Sequence, residues 1–189
     1  MTNLLVLEFE SQAVWEKWLD KNHGQPDGVW LKFAKKNSGE TTISYTEAVE
    51  SALCYGWIDS QVKTFDDKFY IQKFTPRRAK SVWSKINRDK VEALIAAGRM
   101  KPAGQSQIDA AKADGRWAAA YEGQSTAEAP ADFLEALAKN KKAAGFYESI
   151  SKANKYAFIW RLHHVKRTET RAANIQKFIM MLADGKTFH

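Results

Sequence analysis

Residues 56–76 read GWIDSQVKTFDDKFYIQKFTP, and this stretch decides the fold class. Two runs rich in β-branched and aromatic residues, Trp57–Thr64 and Lys68–Phe74, flank the turn-forming pair Asp66-Asp67. The pattern predicts a β-hairpin. Pro76 is expected to break the second strand, because proline has no N–H for the ladder. Alternation along the first strand places Trp57, Asp59, Gln61 and Lys63 on one face.

Upstream, Ser44 and Glu47 form a capping box that opens a helix over Tyr45–Tyr55. Ala48, Val49, Ala52 and Leu53 are its apolar stripe, and Gly56 suits the left-handed residue that ends it. Val29–Lys36 alternates as a half-buried strand, and Leu4–Glu8 reads as a shorter one. Between them Ser11 caps a helix that runs to Asn22. Downstream, helices are expected over Lys85–Ala97, closed by Gly98, and from Pro102 or Ala103 to Gly115. YEGQSTAEAP, residues 121–130, has little periodicity and reads as a linker. Four helical segments follow: Ala131–Asn140, Lys141–Ser149, Ser151–Lys166 and Thr168–Asp184.

The expected class is α+β. Residues 1–120 form a part with a small, mainly antiparallel sheet packed by helices. Residues 131–189 form an all-helical part, expected to pack on the first.

Of the 189 residues, 44% are hydrophobic and 27% charged, which suits a globular chain and argues against disorder. The net charge of +7 and the pI of about 9.4 favour anionic partners. The single cysteine, Cys54, excludes an intramolecular disulfide. MTNLLVLEFE lacks the basic n-region of a signal peptide, and no run approaches the roughly 18 apolar residues of a membrane span. The expected location is the cytoplasm.

The charge is concentrated. Arg77, Arg78, Lys80, Lys85, Arg88, Lys90 and Arg99 lie between Lys73 and Lys101, with Asp89 and Glu92 the only acids. Arginine forks bind phosphate or carboxylate bidentately, and a helix start near Ser84 adds free N–H groups. The functional reading is an anion site in which Arg77 and Arg78 clamp the ligand. Trp57 and Trp83 wall it, Ser81, Ser84 and Asn87 orient it, and Asp59 and Ser60 stand beside it. The alternative is a solvated basic face with buried tryptophans and Asp59 paired to Arg77 or Arg78.

Cys54, flanked by Leu53 and Tyr55 on a helix, reads as a small buried hydrophobe rather than a nucleophile. His23, His163, His164 and His189 are distant from it in sequence. Adjacent His163 and His164 point about 100° apart on a helix and do not form a metal signature. The common phosphate-loop, dinucleotide, hydrolase and zinc motifs are absent, so neither cofactor nor metal is expected. Lys152, Lys155, Arg161, Lys166, Arg167, Arg171 and Lys177 read as a solvated face, with a stripe for acidic lipid or nucleic acid as the alternative.

The segments ALCYGWIDSQVKTFDD, FTPRRAKSVWSKIN, VEALIAAGRMKPAG and AKADGRW, with FLEALAKNKKAAGFYESISKANKYAFIWRL and TRAANIQKFIMMLADGK, resemble the YdeI/OmpD-associated family of bacteriocin-protection proteins. The resemblance implies a small helical region at the C-terminal end and a link to porins and peptide-antibiotic resistance. It implies no particular reaction, cofactor or catalytic residue.

The expected function is binding of a small anionic ligand. A nucleic-acid module using the basic, aromatic surface is the second reading. An enzyme using Asp59 or Cys54 and a stress-defence protein acting through a protein partner are the remaining two.

Overall fold

The computed structural model describes residues 4–123, 126–165 and 167–188. Gln124 and Ser125 of the linker segment, Lys166 of the basic stripe and His189 lie outside the described residues. The chain divides into two compact units, Met1–Ala120 and Tyr121–His189.

The first unit holds a four-stranded sheet built from β1 (Val6–Glu8), β2 (Val29–Ala34), β3 (Trp57–Thr64) and β4 (Phe69–Pro76), in the order β1-β2-β4-β3. β1 runs parallel to β2, and the other two pairs are antiparallel. A parallel pair needs a crossover, and α1 (Gln12–Asn22) supplies it. The expected hairpin is β3–β4, and its second strand continues through Thr75 to Pro76. Pro76 sits in the last register position, opposite Trp57.

The face that carries Val29, Leu31 and Phe33 of β2, with Phe74 of β4 and Trp57 of β3, is the core face. Three further helices complete the unit: α2 (Tyr45–Cys54), α3 (Lys85–Ala96) and α4 (Pro102–Ala113). The predicted capping box is formed: the Ser44 hydroxyl accepts from Glu47 N–H, and the Glu47 carboxylate accepts from Ser44 N–H at 3.0 Å. Trp15 of α1 is fully buried at the centre of the core. Its ring stacks on Trp18 at 5.2 Å and meets Phe9, Trp57 and Phe74 within 6.4 Å. Its indole N–H donates to the Ala48 carbonyl at 3.1 Å, so the buried polar atom is satisfied.

Arg99 ties the helices together. Its guanidinium donates to Glu50 at 2.9 Å and to Glu16 at 3.2 Å, so one cation links the turn after α3 to α2 and α1. Ser51 adds a hydrogen bond to the same Glu16 carboxylate.

The bulge in β3 corrects one expectation. The register skips a residue between Asp59, opposite Phe74, and Val62, opposite Gln72. Side-chain alternation has period two, so one extra residue reverses the facing of everything after it. Trp57 and Asp59 therefore share the core face, while Lys63, opposite Ile71, belongs to the other face.

The second unit is helical: α5 (Ala131–Ala138), α6 (Lys141–Ser149), α7 (Lys152–His163) and α8 (Thr168–Ala183). Its core is Phe133, Leu137, Tyr147, Phe158 and Leu162 against Ile175, Phe178, Ile179 and Leu182. The last four are the predicted buried face of α8. Arg171 of α8 donates twice to Asp132 of α5, at 2.5 and 2.8 Å, and also to the Leu162 carbonyl. That pairing holds the Asp132 carboxyl below the usual carboxylate range.

Candidate functional site

β4 leaves the sheet at Pro76, and the turn before β2 enters it at Pro26-Asp27-Gly28. A cleft of about 380 Å³ lies between them, lined by Leu4, Pro26, Asp27, Gly28, Lys73, Thr75, Pro76, Arg77 and Arg78. Three cations and one carboxylate meet there. Residues 73–101 carry nine basic and two acidic residues, an excess equal to the net charge of the whole chain. The cleft gathers three of the nine.

Gly28 allows the cleft to exist. A Cβ at this position would fall 2.3 Å from the Phe74 carbonyl oxygen and 2.4 Å from the Thr75 methyl, so only glycine lets β2 approach β4 so closely.

Arg77 is held from several sides. Its amide N–H donates to the Gly56 carbonyl at 2.9 Å, which ties the end of β4 to the start of β3. Its guanidinium lies 3.6 Å from the centroid of the Trp83 ring and donates to the Val82 carbonyl at 3.2 Å. The residue is only 7% exposed. A stacked, fixed guanidinium loses little freedom when it takes a further hydrogen bond. Arg78 is exposed, and its backbone is fixed by a small turn: Arg78 N–H donates to the Ser81 hydroxyl at 3.1 Å, and Ser81 N–H donates back to the Arg78 carbonyl at 2.9 Å.

Among the nine residues singled out from sequence, the cleft is lined by Arg77 and Arg78 alone. Trp57 and Trp83 are both core residues, 0% and 1% exposed. The Trp57 indole donates to the His23 carbonyl, and Trp83 packs edge-on against Trp117 while its face carries Arg77. Trp83 therefore stands behind the clamp rather than in front of it. Ser81 shapes the turn. The Ser84 hydroxyl caps α3 by accepting from Asn87 N–H at 3.2 Å. The Ser60 hydroxyl reaches the Lys73 carbonyl at 3.5 Å.

Asp59 does not pair with Arg77 or Arg78. Its carboxylate accepts from the Tyr45 hydroxyl at 2.7 Å and from the Gln72 amide at 3.0 Å. The core-facing side of β3 points it at α2 and β4, away from the arginines. Burial, with the bond to Asp59, pushes the Tyr45 phenol up, so Tyr45 stays protonated and remains a donor.

Sequence reasoning missed Lys73, Asp27 and Gly28. Lys73 was visible as the first cation of the basic segment. Asp27-Gly28 looked like an ordinary turn, because its meeting with β4 depends on the antiparallel pairing of β2 with β4.

If Ser84 is a helix cap, Ser84→Ala lowers thermal stability by about 1 kcal/mol and Ser84→Asp, another good cap, restores it. Equal loss of stability in both variants, seen in chemical denaturation, contradicts the capping role.

Burial pushes the Cys54 thiol up to about 11, and nearby Arg99 offsets this only in part. At neutral pH it is a thiol and a poor nucleophile. Several cations of the C-terminal stripe have local work: Lys155 donates to the Glu148 carbonyl, and Arg161 donates to the Ala157 carbonyl with its guanidinium over Phe188. His164 stacks on Trp160 and bonds its carbonyl, while His163 reaches the Glu128 carbonyl. Among the described residues no group of His, Cys, Asp or Glu is placed to hold a metal ion, and no helix is long and apolar enough to cross a membrane.

Residues 7–107 match a domain of unknown function, DUF8412, which takes in the sheet apart from Val6 and the basic cleft apart from Leu4. Residues 126–185 match the family described as bacteriocin-protection, YdeI or OmpD-associated. The chain belongs to the DUF8412 family, and its helical second unit is similar to the YdeI/OmpD-associated family. The match to the YdeI/OmpD-associated family is narrower than the resemblance seen in the sequence: GWIDS, FTPRR and SVWSKIN fall in the DUF8412 match, and only FLEALAKN through MMLADG falls in the YdeI/OmpD-associated match. No curated protein matches the chain, and no solved structure does.

Proposed function

We propose that this DUF8412-family protein binds a small anion, phosphate or carboxylate, in the cleft between the Pro26–Gly28 turn and the end of β4. The supporting observation is the convergence of Lys73, Arg77 and Arg78 on one concavity with Asp27 as its single acid. Arg77 supplies a pre-set fork, Lys73 a mobile point charge, and Arg78 the exposed cation that meets the ligand first. The description of the second domain as bacteriocin-protecting sets the physiological context of this reading. A cationic cleft repels cationic peptides, so protection through it would run through the bound anion and not through capture of such a peptide.

The test uses Arg78 and Lys73, which are less embedded than Arg77. Inorganic phosphate or pyrophosphate raises the melting temperature of the wild type, and the rise is lost in Arg78→Glu with Lys73→Glu. An equal rise in wild type and double variant refutes the proposal.

A further inference from the structure

The other face of the sheet lies outside the apolar core. Register places Lys63, Ile71, Lys32 and Glu8 in one row across the four strands, and Lys73, Trp30 and Val6 in the next. Phe69 and Ile71 are nevertheless only 8% and 9% exposed. Lysine side chains account for part of that cover. Lys32 Nζ lies 3.7 Å from the Phe69 ring centroid and 5.2 Å from that of Phe65, and Lys63 Nζ lies 4.8 Å from the Trp30 ring. Glu8, the one acid in the two rows, is paired with Lys32 at 2.9 Å.

This face joins the cleft. Lys73 belongs to the Trp30 row and also lines the cleft, as does Thr75, two residues further along the same strand face. The cations thus continue from Arg78 through Lys73 to Lys63 and Lys32, with Trp30 and the half-exposed Phe65 between and beside them.

We propose that the anion taken by the cleft is a phosphate of a single-stranded nucleic acid whose neighbouring bases stack on Trp30 and Phe65. The inference rests on the cleft reading and adds the substrate class. A lysine resting on an aromatic ring is a replaceable cover: the ammonium exchanges the ring for a phosphate, and a base takes the freed face. Single strands suit this surface because their bases are free to unstack, whereas a duplex keeps its π-faces occupied. A second copy of the chain suits it poorly, since burying Lys32, Lys63 and Lys73 against their own counterparts sets like charges together.

The test is fluorescence anisotropy with a labelled, 5′-phosphorylated oligothymidylate of about ten nucleotides, alongside thermal stabilisation by inorganic phosphate on the same proteins. The wild type is expected to bind at low salt, with affinity falling steeply as salt is added. Trp30→Ala and Lys63→Glu each weaken oligonucleotide binding by about tenfold and leave the phosphate response intact. Trp30→Phe, which keeps a stacking ring, stays near wild type. Lys63 is exposed, so its variant is informative even if Trp30→Ala folds poorly. No binding at low salt, or unchanged affinity in both variants, overturns the proposal. Binding to phosphatidylserine vesicles without oligonucleotide binding also overturns it, in favour of a membrane surface. Trp30-dependent oligonucleotide binding with no phosphate response in the wild type overturns the cleft reading and the phosphate seat that rests on it, and leaves only the stacking surface.

Discussion

Trp15→Ala is expected to lower the stability of the first unit by about 3–5 kcal/mol, the largest effect expected of a single truncation there. The indole is wholly buried and touches four other aromatic rings, so its removal opens a cavity that rigid neighbours cannot fill. The hydrogen bond to the Ala48 carbonyl goes with it, leaving a buried acceptor in α2 short of its side-chain donor. Trp15→Phe keeps most of the volume but not the N–H, and its loss should be clearly smaller. Urea denaturation followed by circular dichroism measures both. A loss below about 1 kcal/mol for Trp15→Ala contradicts the central place given to this residue.

Gly28→Ala is the second large effect, and it links stability to the site. The added methyl meets a backbone carbonyl of the β2–β4 ladder, which cannot step aside as a flexible side chain would. The strands must separate where they form the cleft wall. About 2–3 kcal/mol of stability is expected to go, and with it the response to phosphate. Gly24, four residues earlier in the same connection, has no atom within 4 Å of the place an added methyl would take, and it serves as the control. Gly24→Ala should change stability by no more than about 0.5 kcal/mol. Equal effects at the two glycines, in melting and in phosphate response, contradict the close-approach explanation.

Element identities were legible in the sequence because local signals agreed. The Ser44–Glu47 box, the β3–β4 hairpin pattern and the spacing of Ile175, Phe178, Ile179 and Leu182 each act within a few residues. Facing was less legible. The bulge after Asp59 has no mark in residues 59–62, yet it moves Lys63 to the opposite side of the sheet. The site was half legible. Arg77 and Arg78 stood out by charge, but their neighbours came from register: Lys73 through its strand face, and Asp27-Gly28 through the pairing of β2 with β4. Tryptophans near cations suggested pocket walls. Burial assigns Trp57 to the core and Trp83 to the support of Arg77, because an indole that is almost wholly covered offers a ligand no surface.

Anion binding in the cleft is most directly tested by following backbone amide resonances of the labelled full chain during titration with inorganic phosphate. The largest shifts should fall on Asp27, Gly28, Lys73, Thr75, Arg77 and Arg78, and should saturate. Shifts that fail to saturate, or that centre on residues away from this cleft, would contradict it.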